Sequence, residues 1–453
     1  MKIVIIGGVA AGAKAAAKSR RLLPDAEINL YTDDTHVSYS ACGIPYYIEG
    51  NFEDYRTLLV RSPEEFAKSN IFIHLQSRVS KILPKCKKVL VENLQSADAY
   101  LVDYDKLIIA TGAKPFVPDI KNVNLNNVFT VRRLEDGIAI REKISTSRNA
   151  VIVGGGYIGI EMLEALVRQN LHVTLIERGS KIMSIFDDDM SDIISEQLAS
   201  INNGEFEIIT SDSVIEFTGD NNGVNGVITS NGRNINADMA IICSGVKPNV
   251  KIAADAGIKL GVTGAIEVTP RMETNIQDIY ACGDCVEEFN IVSQKSMWLP
   301  LGANANKEGR TAAMNACGIE DTFEGVLGSA VTRCLGLTMS TTGLTEKDAV
   351  KAGLEPVCAR VTKYDKVGYM PDANNITIKL VADKKSGRLI GAQGVGAGDA
   401  DKRINTIATA LLAKLTVKEF LNNDLTYAPP FSPTIDPLLN AAQILLSKLE
   451  QES

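Results

Sequence analysis

Two glycine runs, a lone cysteine, a cysteine pair and a stripe of cations are the parts of this 453-residue sequence whose types and spacing could carry chemistry. The runs are Gly7, Gly8, Val9, Ala10, Ala11, Gly12 and Gly154, Gly155, Gly156, Tyr157, Ile158, Gly159. Each follows a β-branched apolar run and opens a helical pattern, so backbone N–H groups at a helix start can cradle the phosphates of a dinucleotide. One such match is weak evidence of a site, whereas two with a further strand behind each point to two dinucleotide sites. In the second loop Gly154, Gly156 and Gly159 complete GxGxxG, and Glu177 closes the next strand. A carboxylate there accepts hydrogen bonds from an adenosine ribose and repels a 2′-phosphate, which favours NADH over NADPH; Arg178 and Lys181 temper that preference.

The lone cysteine is Cys42, within Ser38, Tyr39, Ser40, Ala41, Cys42, Gly43, Ile44, Pro45, Tyr46, Tyr47. Cys282 and Cys285 form a CxxC, for which metal binding and redox chemistry compete with simple burial. A zinc site takes four ligands and no second Cys or His pair has suitable spacing, so both are read as small buried hydrophobes and no metal is expected. Lys14, Lys18 and Arg21, at i, i+4 and i+7, share one helix face, which is either a solvated face or a phosphate contact.

These groups need elements to hold them. A strand Lys2–Ile6 and a helix over 13–23, stopped by Pro24, flank the first loop; a strand over 150–153 and a helix from Ile160 flank the second. Further strands are expected at 27–32 and 172–177. Strands at 107–110 and 240–243 end in Gly-then-Pro turns (Thr111, Gly112 to Pro115; Ser244, Gly245 to Pro248), where the chain can cross between domains. Beyond Gly325 the texture becomes β-rich, with strands at 330–333 and 376–381, then helices at 402–414 and 437–449. The fold class is α/β, two doubly wound dinucleotide-binding domains followed by a C-terminal α+β domain.

Composition agrees. The length suits two or three domains of roughly 150 residues, and 45% hydrophobic with 23% charged residues is ordinary for a globular chain. A formal charge of −8 gives no support for nucleic-acid or anionic-membrane partners. The apolar run from Ile3 to Ala13 is too short to span a bilayer and breaks at paired glycines rather than at a cleavage site. Eight cysteines in so long a chain suit a reducing compartment, and a cytoplasmic location is expected.

The order of the first glycine loop, SYSACGIPYYI, ATGAKP, GGGYIGIE, ACGD and YAPPFS, over essentially the whole chain, resembles the flavin-dependent pyridine nucleotide disulfide oxidoreductases. Within them it resembles the single-cysteine branch containing coenzyme A disulfide reductase, NADH oxidase and NADH peroxidase. The resemblance implies a glutathione-reductase-like fold with FAD on residues 1–112 and 245–324, NADH (NADPH as the alternative) on 113–244, and a dimerisation domain over 325–453 that makes a homodimer. It assigns Gly7, Gly8, Gly12, Thr111, Gly112 and Asp284 to FAD. Thr32 stands where a carboxylate usually binds the FAD ribose, and Asp33 is its substitute. Gly154, Gly156, Tyr157, Ile158, Gly159, Glu161, Glu177 and Gly245 go to the nicotinamide dinucleotide.

By the same resemblance Cys42 is a lone thiol beside the flavin, because Tyr47 occupies the second position of the CxxxxC found in dithiol relatives. Lys14, Lys18, Arg21 and Ser38 would contact coenzyme A, as substrate or bound ligand. Only His36, His74 and His172 are present, so the C-terminal histidine base of glutathione-reductase-like enzymes is missing, and Ala10 and Ala11 stand where peroxidase-like sequences place a histidine. A disulfide is therefore expected as acceptor before peroxide, with Tyr427 and Tyr369, from the partner subunit, donating to the leaving thiolate. Met370 and Lys366 depart from the pattern near Tyr369. The implied activity is electron transfer from NAD(P)H through FAD and Cys42 to a low-molecular-weight disulfide, coenzyme A disulfide first. NADH oxidase, persulfide or polysulfide reductase, and a flavin-bearing redox sensor are the rivals.

Overall fold

A computed structural model describes residues 1–451. Its first sheet has five parallel strands in the order Ile279–Ala281, Lys106–Ile109, Lys2–Ile6, Glu27–Tyr31, Ile71–His74. The second repeats the plan in the order Phe206–Ile209, His172–Ile176, Asn149–Val153, Met239–Ile242, Val128–Thr130. Central strands in both are apolar runs buried on both faces, as helix-covered parallel sheets require. The third sheet is antiparallel, Ala330–Cys334, Leu337–Gly343, Leu389–Gly396, Asn375–Asp383, Pro356–Tyr364, with helices Ala400–Leu412 and Pro437–Gln451 packed on it. The mixed α/β architecture is therefore the one the sequence implies.

The two Gly-then-Pro turns are one structure. Ala113–Pro115 pairs antiparallel with Val246–Pro248, so the chain leaves and re-enters the first unit through a two-stranded connection. Two three-stranded meanders, Ser77–Leu83 with Lys88–Asn93 and Ala99–Asp103, and Val214–Asp220 with Gly223–Thr229 and Asn234–Asn236, were not expected from the sequence pattern.

Both nucleotide-loop helices start three residues earlier than the sequence pattern suggests, at Ala10 and Tyr157. The last glycine of each loop lies inside the first helical turn because it must pack against the loop's own start. A Cβ on Gly12 would sit 1.9 Å from the Gly7 carbonyl oxygen, and one on Gly159 would sit 1.9 Å from that of Gly154. No larger side chain fits there, so the two loops share one steric design.

Helix Ala10–Leu22 lies against helix Gly302–Ala316 through small residues. A Cβ on Gly309 would come within 2.3 Å of the Ala11 carbonyl oxygen, and Ala305, Ala312 and Ala313 are buried alongside. This close packing carries the N-terminus of the later helix toward the start of the chain. No helix among the described residues is long and apolar enough to cross a membrane. The last two residues of the expected 325–453 domain lie outside the described residues.

Candidate functional site

The helices that follow the two loops, Ala10–Leu22 and Tyr157–Arg168, lack a side-chain cap, as does Gly302–Ala316. Uncapped first-turn N–H groups with the positive end of a helix dipole suit a pyrophosphate or another electron-rich ligand group. A Cβ on Gly156 or Gly245 would meet nothing within 4 Å, so space lies open before both. Val9, at the middle position of the first loop, has a negative φ of −92° and is partly exposed. The backbone there does not demand glycine. Gly7 and Gly154 do require it, at φ +105° and +112°.

Around the first loop, Thr111 donates to the Asn249 carbonyl oxygen at 2.7 Å, and Gly112 takes a positive φ of +66° beside Arg132. Thr32 is buried at the strand end, and its hydroxyl accepts the Asp34 N–H at 3.3 Å. Asp33, the expected ribose ligand, is half-buried and paired with Arg133 at 3.0 Å and Arg78 at 3.6 Å. Asp34, which the sequence reading passed over, is more deeply buried and accepts the Tyr39 hydroxyl at 2.9 Å.

In the second loop the Glu177 carboxylate accepts the Gly155 N–H at 2.7 Å and the Gly179 N–H at 2.6 Å. Both carboxylate oxygens are thereby fixed against the glycine turn. Tyr157 and Ile158 open the helix behind it and Glu161 follows in the next turn; the Tyr157 hydroxyl is buried with no hydrogen-bond partner among the described residues. Glu161 accepts a hydrogen bond from Thr332 of the third sheet at 3.1 Å.

Cys42 sits in a short 3-10 turn, Ala41–Gly43, that leads into helix Ile44–Glu49. Ser38, four residues earlier, is held at φ +53°, unusual for a residue with a side chain, by a bond from its N–H to the Gly8 carbonyl at 2.7 Å. This ties the cysteine turn to the first glycine loop. A Cβ on Gly43 would stand 2.3 Å from Leu58 Cδ2, so that side chain would have to shift to admit one. Tyr47 is buried with Arg141 over its ring, filling the place of a second cysteine, and all eight cysteines are free.

The Cys42 residue opens to the cleft, yet walls surround its sulfur. A Cβ on Gly302, the first residue of helix Gly302–Ala316, would lie 3.9 Å from Sγ. Desolvation by these walls, then the Glu161 and Asp284 carboxylates, push the thiol above its usual range, while Arg132 opposes them. Arg132 and Asp284 are themselves paired at 3.0 Å. The cleft thus gathers a nucleophilic sulfur, a helix N-terminus, one cation and two carboxylates from both dinucleotide units. That set can perform thiol–disulfide exchange.

The other expected residues divide. Cys282 and Cys285 are fully buried, and burial raises both thiols, Cys285 to about 11, as small core hydrophobes would show. Lys14 and Lys18 are half-buried and Arg21 is exposed on the first helix, none in an ion pair among the described residues. Of the three, only Arg21 lines a pocket of about 230 Å³, together with Ala17, Arg20, Arg61, Ser69 and Ile71. Arg61 comes to it from another segment, which helical spacing could not reveal. Tyr369 and Tyr427 are 75% and 51% exposed, with Phe431 at 73% shortly after Tyr427, and neither tyrosine hydrogen-bonds the Cys42 segment among the described residues. Arg132, Gly302 and Thr332 were missed because nothing in their local sequence marks them; each matters through partners distant in sequence.

Residues 1–309 match the pyridine nucleotide-disulphide oxidoreductase family and residues 331–438 match that family's dimerisation domain. The chain belongs to the pyridine nucleotide-disulphide oxidoreductases. It is 38% identical over 448 residues to an NAD(P)H coenzyme A polysulfide/persulfide reductase of Pyrococcus horikoshii, covering 98% of each chain. It is 33% identical over 456 residues to an NADH oxidase of Methanocaldococcus jannaschii, covering 100% of both, and 31% identical over 442 residues to a coenzyme A disulfide reductase of Staphylococcus aureus, covering 95% and 96%. A solved NAD-dependent persulfide reductase from A. fulgidus superposes with a TM-score of 0.96 at 34% identity, over 100% of this chain and 84% of that one. As a pyridine nucleotide-disulphide oxidoreductase, the protein is an oxidoreductase.

Proposed function

We propose that the chain is a homodimeric flavoprotein that passes electrons from NADH to a low-molecular-weight disulfide, with coenzyme A disulfide as substrate. The observation that carries this reading is Cys42 Sγ beside the N-terminus of helix Gly302–Ala316, on a segment tied to the first glycine loop through the Ser38 N–H and the Gly8 carbonyl. FAD is held by Gly7, Gly8, Gly12, Asp33, Thr111, Gly112 and Asp284 of residues 1–112 and 245–324, and when bound supplies the two-electron link between nicotinamide and sulfur. NADH is held on residues 113–244 by Gly154, Gly156, Tyr157, Ile158, Gly159, Glu161, Glu177 and Gly245. The uncapped helix starts and the Gly7–Gly12 and Gly154–Gly159 contacts support both placements.

The Cys42 thiolate attacks one sulfur of coenzyme A disulfide; a Cys42–coenzyme A mixed disulfide forms and coenzyme A thiolate leaves. Two electrons then cleave the mixed disulfide and restore Cys42 with release of a second thiolate. Lys14, Lys18 and Arg21 meet the coenzyme A phosphates, with Ser38 nearer the sulfur. Residues 325–453 form the dimer, and the exposed Tyr427 and Tyr369 reach the partner's cleft to protonate the leaving thiolate; their exposure in a single chain supports a face covered by a second copy. Persulfide or polysulfide reduction is the second reading, favoured by the P. horikoshii relative's activity, with Cys42 attacking a sulfane sulfur instead.

Anaerobic NADH turnover with coenzyme A disulfide, polysulfide and peroxide, set against oxygen consumption in air, tests the acceptor. Preference for coenzyme A disulfide is expected. Faster turnover with oxygen than with any disulfide overturns the reading.

A further inference from the structure

Behind the first turns of helix Gly302–Ala316 two carboxyl groups are buried together. Glu308, in that helix, is 1% exposed, and Glu288, in the short strand Glu288–Asn290, is 7% exposed. The two carboxyls lie close enough for each to act on the other. Glu308 Oε2 also accepts the Gly283 N–H at 2.6 Å, Glu288 Oε2 accepts the Leu299 N–H at 3.0 Å, and the Asn304 side chain reaches Glu288. Glu308 Oε1 is buried with no hydrogen-bond partner among the described residues. Ionised carboxylates are acceptors only, so two that face each other away from water attract only if a proton lies between them.

Nothing nearby compensates two charges. Neither carboxyl has a lysine or arginine partner among the described residues. The groups that face the pair are Asp284, whose charge adds to theirs, and the buried thiols Cys282 and Cys285. The guanidinium beyond them, Arg132, is paired with Asp284.

We propose that Glu288 and Glu308 hold one proton between them at neutral pH and that this proton governs how readily Cys42 ionises. Two physical links connect the pair to the thiol. Glu308 holds the Gly283–Asp284 turn, and Asp284 is one of the carboxylates that act on Cys42. Glu308 also belongs to the helix whose first residue faces Cys42 Sγ. Loss of the proton puts a second negative charge behind the positive end of that helix, which weakens the support the helix lends to a thiolate. Burial places both carboxyls well above the ordinary carboxyl range, with the Glu308 charge adding to the rise at Glu288 and the Asp284 charge to that at Glu308, so the loss falls in neutral to alkaline solution. The inference goes beyond the proposed acceptor and holds for any of them, because it concerns only groups of this chain.

Infrared titration of the holoprotein reads the proton. A protonated-carboxyl carbonyl band is expected at neutral pH, lost on alkaline titration, and absent from both Glu308→Gln and Glu288→Gln. Either amide can donate to the remaining carboxylate, so two independent variants keep the pair hydrogen-bonded. Peptide-resolved alkylation of Cys42 by iodoacetamide, after reduction, reads the coupling. Glu308→Gln should match the wild type at neutral pH and react several-fold faster once the wild-type pair has lost its proton. No carboxyl band in the neutral wild type would overturn the shared proton, and superimposable alkylation profiles would overturn the control of Cys42. Both readouts stand apart from turnover, so a failed coenzyme A disulfide assay leaves them intact.

Discussion

Glu177 offers the most direct test of the nicotinamide site. Its carboxylate is held by the Gly155 and Gly179 N–H groups at 2.7 and 2.6 Å, which fixes both oxygens against the glycine turn. Glu177→Ala removes a charged acceptor from the expected ribose position and frees two loop N–H groups. A hydrogen bond to a charged group contributes about 1.5–3 kcal/mol, so the NADH specificity constant should fall about ten- to a hundredfold. NADPH should lose less or gain, since the repulsion of its 2′-phosphate disappears with the charge. Glu177→Gln, which keeps one oxygen for the loop, should fall between wild type and Glu177→Ala with NADH. The assay is steady-state kcat/KM with each dinucleotide, alongside thermal melting of each variant. Equal wild-type efficiency with NADH and NADPH, or an identical loss with both in Glu177→Ala, would refute the argument, since only loop collapse acts on both alike.

Three further outcomes are expected. Cys42→Ser should still bind FAD and accept electrons from NADH but lose disulfide reduction, because a hydroxyl forms no mixed disulfide; anaerobic coenzyme A disulfide turnover near the wild-type rate would contradict it. Tyr427→Phe should leave dimerisation and flavin reduction intact while slowing disulfide turnover about ten- to a thousandfold, the range for one acid catalyst; normal turnover, or a competent monomer in sedimentation, would remove the cross-subunit role. Lys379, 3% exposed, meets Asp187 at 3.1 Å, Asp189 at 2.8 Å and Glu346 at 3.1 Å where the third sheet adjoins helix Asp188–Ile201. Lys379→Met should lower stability by about 2 kcal/mol, less than for a fully buried pair because Asp189 and Glu346 are partly exposed; an unchanged denaturant midpoint would show that the cluster contributes nothing.

What was legible in the sequence is what local sterics and periodicity control. The glycines of both loops are required by contacts within a few residues, Gly12 on Gly7 and Gly159 on Gly154, so their types and spacing already specify strand, turn and helix. The strand runs around Val4 and Val151 are apolar without interruption because both faces of those sheets are covered. The Gly-then-Pro turns were visible for the same local reason, but their pairing into one connection was not, since strand partners are chosen across the chain.

The cleft itself was decided only by tertiary structure. Cys42 reads in sequence as a cysteine in a short motif, and its surroundings of Gly302, Arg132, Asp284 and Glu161 arrive from four distant segments. The helix bearing Gly302 reaches the thiol because Gly309 and its neighbouring alanines allow it to lie against Ala11, a consequence of packing that no local pattern announces. Likewise Thr332 meets Glu161 and Glu308 meets Glu288 across elements whose own sequences look ordinary. Residue type fixes which chemistry each group can perform, whereas charge, desolvation and proton sharing depend on which groups the folded chain brings face to face.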